Sequence, residues 1–206
     1  ISITLFTILK PISDEQLNIV NNVIANQNIS IDAVAGSGKT TTSLYIALKN
    51  SSKQILLLTY NAKLKLDTRN KVTQLNINNM EVHSYHSFCV KYFDSKAYTD
   101  SGIIQFHKKT ESIGHLERLR PFDYKIIIID EAQDMNFIYY QVVQHIISSL
   151  SECQLVIMGD QKQSIYQFNN ADSRFLTMAS SIYKDNSCKE WQHGNLSTSY
   201  RLTIQM

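Results

Sequence analysis

Two stretches of the chain combine residue types and spacing suited to phosphate chemistry. In the first, Ile31-Asp32-Ala33-Val34-Ala35-Gly36-Ser37-Gly38-Lys39-Thr40, an apolar segment passes through a glycine turn into a helical pattern. Gly36 and Gly38 permit backbone conformations that turn N–H groups toward phosphate oxygens. The helix that follows adds its positive end, Lys39 a charge for the β- and γ-phosphates, and Thr40 a hydroxyl for Mg²⁺. Ala33 stands where the strict pattern has glycine. The second stretch, Lys125-Ile126-Ile127-Ile128-Ile129-Asp130-Glu131-Ala132-Gln133-Asp134, ends four isoleucines on paired carboxylates. Asp130 there suits a magnesium ligand, largely through water, and Glu131 a base that orients or deprotonates an attacking water. An acidic helix cap would account for Asp130 or Asp134 but not for the buried run that precedes them.

These residues need a scaffold that brings both stretches to one edge. Ser30–Val34, Ile55–Thr59, Ile126–Ile129 and Leu155–Met158 read as strands, and Asp14–Asn26, Lys39–Lys49, Ala62–Lys71, His86–Phe93 and Asn136–Ser149 as helices. Ile126–Ile129 and Leu155–Met158 are apolar without alternation, as in strands covered on both faces. Strand–helix alternation predicts an α/β fold with a mainly parallel sheet covered by helices on both faces, and ligands at the carboxyl ends of its strands. The interval 94–121 is polar and irregular, and reads as an insertion.

Composition sets outer bounds. The 206 residues are 43% hydrophobic and 18% charged, as in an ordinary globular protein. No apolar run reaches the roughly 18 residues of a membrane span, and the opening Ile-Ser-Ile-Thr-Leu-Phe lacks the basic leader of a signal peptide. Cys89, Cys153 and Cys188 are sparse and far apart, which argues for a reducing, intracellular compartment (cytoplasmic or nuclear) and against a structural zinc. With a net charge of only +2, any nucleic-acid role rests on site residues rather than on bulk charge.

Taken in order, the motifs resemble those of superfamily 1 DNA helicases, in the UvrD/Rep/PcrA branch and its F-box helicase relatives. Ser13-Asp14-Glu15-Gln16 resembles the Q motif, Ala35 through Thr42 motif I, and Leu58-Thr59-Tyr60-Asn61-Ala62-Lys63 motif Ia. Ser84-Tyr85-His86-Ser87-Phe88 resembles the family's aromatic-His-Ser-Phe segment. Asp130 through Asp134 resembles motif II, Met158 through Phe168 motif III, and Leu196 through Arg201 the start of motif IV.

The resemblance implies the N-terminal RecA-like P-loop NTPase domain of such an enzyme over residues 1–195. The start of a hinge at 196–206 would then lead to a second RecA-like domain of the same polypeptide. It implies an ATP- and Mg²⁺-dependent helicase moving 3′→5′ on single-stranded DNA toward a duplex junction, with these residues alone inactive in unwinding. Gln16 and Tyr200 would hold adenine, with Ala35, Gly36, Ser37, Gly38, Lys39, Thr40 and Thr41 around the phosphates, and Thr40 and Asp130 at the metal. Glu131, Gln163, Arg201 and Lys39 would serve hydrolysis. Tyr60, Tyr85 and Phe168 would stack on bases, and Asn61 and His86 would touch the DNA backbone. Phe168 stands where many relatives have Trp, Thr41 where several have Arg, and 94–121 is short where relatives hold a subdomain that grips duplex. The alternative is a non-motor P-loop switch or scaffold that never moves along DNA.

Overall fold

The computed structural model describes residues 9–165, 171–184 and 189–200. Among them six strands form one parallel sheet: β1 (Asn28–Ala33), β2 (Ile55–Thr59), β3 (Met80–His83), β4 (Ile126–Asp130), β5 (Gln154–Gly159) and β6 (Trp191–Leu196), in the order β3-β2-β4-β5-β1-β6. The longer helices are α1 (Asp14–Ile24), α2 (Lys39–Lys49), α3 (Ala62–Gln74), α4 (Tyr85–Tyr92), α5 (Asp100–Ile113) and α6 (Phe137–Ser148). Two single turns, α7 (Arg174–Thr177) and α8 (Ala179–Ile182), follow β5. The α/β architecture with a helix-covered parallel sheet is the one the strand–helix alternation predicts.

Alternate residues of each central strand enter opposite cores, which is why these strands show no polar alternation. Leu56, Leu58, Ile127, Ile129, Leu155 and Ile157 pack with Phe88, Phe106, Tyr139 and Val143 on one face. Ile55, Leu57, Ile126, Ile128, Val156 and Met158 pack with Ile19, Val23 and Leu44 on the other. Each such side chain taken fully out of water contributes about 1.5–3 kcal/mol before entropy is counted.

Local chemistry sets the helix starts. Ser13, Asn61, Ser84, Thr99 and Asn136 each accept a backbone N–H of the first turn of the helix they precede. Register places Thr59 beside Asp130 and Asp32 beside Gly159, so the segments after β1, β2, β4 and β5 leave from one carboxyl edge.

The interval 94–121, expected to be irregular, contains α5. Thr99 caps it and Gly114 ends it in the left-handed region at φ 77°. Its buried Ile103, Phe106 and His107 lie three and four residues apart, one face of a helix, against α6. β6 pairs with β1 through Leu196, so the sheet reaches the point where the hinge was expected to start. None of the described helices is long and apolar enough to cross a membrane. Cys89 and Cys153 are buried and not disulfide-bonded to each other, and Cys188 lies outside the described residues.

Candidate nucleotide cleft and nucleic-acid face

The turn after β1 encloses one side of a cleft of about 390 Å³. Gly36 and Gly38 adopt φ 76° and 92°, a region costly for any residue with a Cβ. Gly38 has a second constraint, because a Cβ there would lie 2.7 Å from Gln16 Nε2. Gly38 is also the N-cap of α2, so the first-turn N–H groups from Lys39 onward have no acceptor within the helix and suit an anion. Ser37 Oγ is buried without a hydrogen-bond partner, a donor left over by the fold where phosphate oxygens would supply acceptors.

The opposite wall comes from the end of β4. Asp130 is buried, and its carboxyl is held well above the ordinary carboxylate range. Burial is the main cause and the neighbouring Glu131 charge the next, against the opposing pull of Lys39 and of the Glu131 N–H. A buried carboxylate and the Thr40 hydroxyl in the lining of one cleft are an oxygen donor set that fits Mg²⁺. Glu131 takes a left-handed φ of 55°, and its Oε2 lies 3.3 Å from Lys39 Nζ. The lysine is itself largely buried, so the two charges offset each other in the wall of the cleft.

A hydrogen-bonded path leads from this pair to the end of β5. Gln133 Nε2 donates to Glu131 Oε2 at 3.0 Å, and Gln133 Oε1 accepts from the Asp160 N–H at 3.0 Å. Asp160 Oδ2 accepts from the Ala35 N–H at 3.0 Å and from Gln163 Nε2 at 2.9 Å. A Cβ at Gly159 would overlap Gln133 Oε1, so this path requires glycine there. One carboxylate, Asp160, thus joins the phosphate turn, the acidic strand end and the segment carrying Gln163.

At the outer end of the cleft Gln16 is buried. Its Oε1 accepts from the Ser13 N–H at 3.0 Å, closing a capping box, and its Nε2 contacts the Gly38 carbonyl at 3.4 Å. Tyr200 closes the same end: its N–H donates to the Gly36 carbonyl, and the Lys10 ammonium lies 5.9 Å from its ring centre. Thr41 also lines the cleft.

A second, more open cleft of about 570 Å³ lies on the same sheet edge, beyond β2 and β3. Tyr60, Asn61 and His86 line it. The Tyr60 ring is 45% exposed, whereas Asn61 spends its Oδ1 capping α3. Tyr85 is different. At 2% exposure and stacked 4.6 Å from Tyr139, it has no face to offer a base, and we assign it to the core. Phe168 and Arg201 lie outside the described residues.

A family model described as an AAA domain matches residues 16–169, from the Gln16 cap through both walls of the first cleft. The chain belongs to this family. Its helix-covered parallel sheet has a RecA-like fold. The chain is 27% identical over 207 residues to an ATP-dependent helicase/nuclease subunit of Clostridium novyi (strain NT), covering 85% of this chain and 17% of that protein. Two solved structures share the fold. One is described as the basis for DNA unwinding at forked double-stranded DNA by two coordinating Pif1 helicases (TM-score 0.53, 15% identity, 94% of this chain and 45% of that one). The other is unliganded Pif1 from Bacteroides sp (TM-score 0.51, 17% identity, 94% and 43%).

Several residues of the nucleotide cleft carried no signal of their own. Lys10, Pro11, Leu64 and Lys71 line the nucleotide cleft through tertiary placement, Leu64 and Lys71 from one face of α3. Asp160 and Gln133 lie inside recognisable motifs, but only the fold gives each its partners. The capping role of Gln16 was readable from Ser13-x-x-Gln16, a known helix-start pattern.

Proposed function

We propose that the chain forms the ATP-binding wall of an ATP-dependent helicase motor that travels 3′→5′ on single-stranded DNA, a second RecA-like domain completing the cleft. The observation that carries this reading is the path Glu131–Gln133–Asp160–Gln163. It ties the Lys39–Glu131 pair in the nucleotide cleft to the segment that continues toward Phe168, on the same sheet edge as the Tyr60 cleft.

In this reading the Lys39 ammonium leaves Glu131 for the γ-phosphate, and Glu131 accepts the proton of the attacking water. Thr40 and Asp130 would hold Mg²⁺, which when bound offsets phosphate charge. The turn N–H groups and Ser37 orient the triphosphate, and Gln163 senses its end. Gln16 and Tyr200 pack at the base, and Arg201 adds a positive charge. Tyr60 and Phe168 stack on bases, and Asn61 and His86 approach the backbone. A nucleotide switch that never moves would use the first cleft alone. The exposed aromatic wall of the second favours the motor.

The test is phosphate release by these 206 residues, with and without oligothymidylate. Slow turnover without DNA stimulation is expected, because one domain supplies one wall, and a missing arginine finger costs about 10³–10⁵ in rate in related enzymes. DNA-stimulated turnover of about 1 s⁻¹ or more would overturn the two-domain mechanism.

A further inference from the structure

The 94–121 interval reaches the second cleft. Tyr98, Thr99 and Asp100 line it together with Tyr60, and Tyr98 is the most exposed aromatic of the group at 71%. Asp100 is the first residue of α5, and Thr99 caps that helix through the Gly102 N–H. One Asp100 oxygen, Oδ1, accepts from the Tyr139 hydroxyl at 2.7 Å and from His86 Nε2 at 2.9 Å. The side chain is half exposed, and Oδ2 has no hydrogen-bond partner among the described residues. Tyr139 is held firmly as the donor, because burial and then the Asp100 carboxylate raise its pKa above the ordinary phenol range. The carboxylate is therefore fixed on one side and open toward the cleft on the other.

A fixed carboxylate is out of place against a phosphate backbone, which it repels. It suits the opposite end of a nucleotide, where amino groups on the base edge donate. We propose that this cleft is a subsite for one unstacked nucleobase, held between Tyr60 and Tyr98, whose exocyclic amine donates to Asp100 Oδ2. The proposal rests on the DNA face described above and assigns a role to the insertion. Cytosine, with its N4 amine, fits. Thymine does not, since its N3–H is flanked by two carbonyls that would face the carboxylate. The motor then has a base preference at this position, although stacking and backbone contacts by themselves tolerate any sequence.

Fluorescence anisotropy of the 206-residue chain with short labelled oligo-dC and oligo-dT at low salt tests this, since both pyrimidines have similar size and weak self-stacking. The wild type should bind oligo-dC about fivefold more tightly, the low end of one base-edge contact. Asp100→Asn keeps an amide oxygen for Tyr139 and His86 but can turn an N–H₂ toward the base, so the preference should vanish or reverse. Tyr98→Ala should weaken both homopolymers equally, by about fivefold or more. Equal wild-type affinities, or an unchanged preference in Asp100→Asn, would overturn the subsite. Tyr60→Ala separates the two readings. If it weakens binding while no base preference exists, only the subsite falls. If it changes neither homopolymer, or nothing binds, the DNA face falls with it.

Discussion

Lys39 Nζ lies 3.3 Å from Glu131 Oε2, so the cation proposed to meet the γ-phosphate is paired with the carboxylate proposed to activate water. Neither charge is left bare in the deep cleft. Phosphate binding would draw the ammonium away and leave Glu131 free to accept a proton.

Lys39→Ala and Glu131→Gln should therefore separate. In the motor proposed above, each should reduce ATP hydrolysis by at least about 10²-fold. Lys39→Ala removes a phosphate contact and should weaken a non-hydrolysable ATP analogue. Glu131→Gln keeps the phosphate contacts and releases the lysine, so affinity should hold or rise. Calorimetric titration reads the difference. Equal loss of binding in both variants would make Glu131 a structural partner rather than the base.

Asp130 should cost stability when no metal is present. Its pKa is raised from 3.8, so the unfolded chain ionises first and stability falls as pH rises above about 3.8, until Asp130 itself ionises in the fold. Asp130→Asn lacks this dependence. It should melt higher than wild type near neutral pH, by a margin that shrinks toward pH 4, and lose any Mg²⁺-dependent stabilisation by nucleotide. Thermal melts across pH with and without Mg²⁺ measure both. A variant that melts lower at pH 7 would show that the charge is already compensated by Lys39.

Tyr60 and Tyr85 are two aromatic residues of similar motif standing with opposite surroundings. Tyr85→Ala should lower unfolding free energy by about 3 kcal/mol or more, because it empties a buried ring site. Tyr60→Ala should change stability by roughly 0.5 kcal/mol. It should still cost about 1–3 kcal/mol in single-stranded DNA affinity. Urea denaturation and anisotropy distinguish them, and the reverse pattern would return Tyr85 to the DNA face.

Two histidines attach the insertion helix. His107 Nε2 donates to the Ile138 carbonyl at 3.1 Å, so its Nδ1 is the acceptor for His145 Nε2 at 3.1 Å, an arrangement that requires the His107 ring to be neutral. Burial lowers the pKa of both. That of His145 falls to about 4, with the His107 ring the second cause. The unfolded chain takes protons first, so this stability is complete above about pH 6.5 and is lost as pH falls toward 4. Amide exchange in α5 should accelerate over that window in the wild type and change less in His145→Gln, which keeps an N–H donor. Identical pH profiles would mean that the pair does not anchor α5.

The phosphate turn, the acidic strand end and the central strands were legible because each is local. A glycine turn before Lys39-Thr40, or four isoleucines ending on two carboxylates, states its chemistry within ten residues. Every helix capped by Ser13, Asn61 or Asn136 likewise carries its start signal beside it. β3 and β6 were not legible. Met80–His83 is four residues long, and Trp191–Leu196 holds Gly194 and no β-branched side chain. β6 is a strand because it pairs with β1, and Gly194 lets Ile19 and Ile29 approach closely. Helix α5 was hidden by its polar face, its apolar positions having meaning only against α6. Only the tertiary structure could place Tyr85 inside and Tyr60 outside, since exposure depends on Tyr139, more than fifty residues away in sequence. The same holds for Asp160. Its motif marked it, but its hydrogen bonds reach Ala35 and Gln133, and bonds across such separations exist only once the sheet has brought three strand ends to one edge.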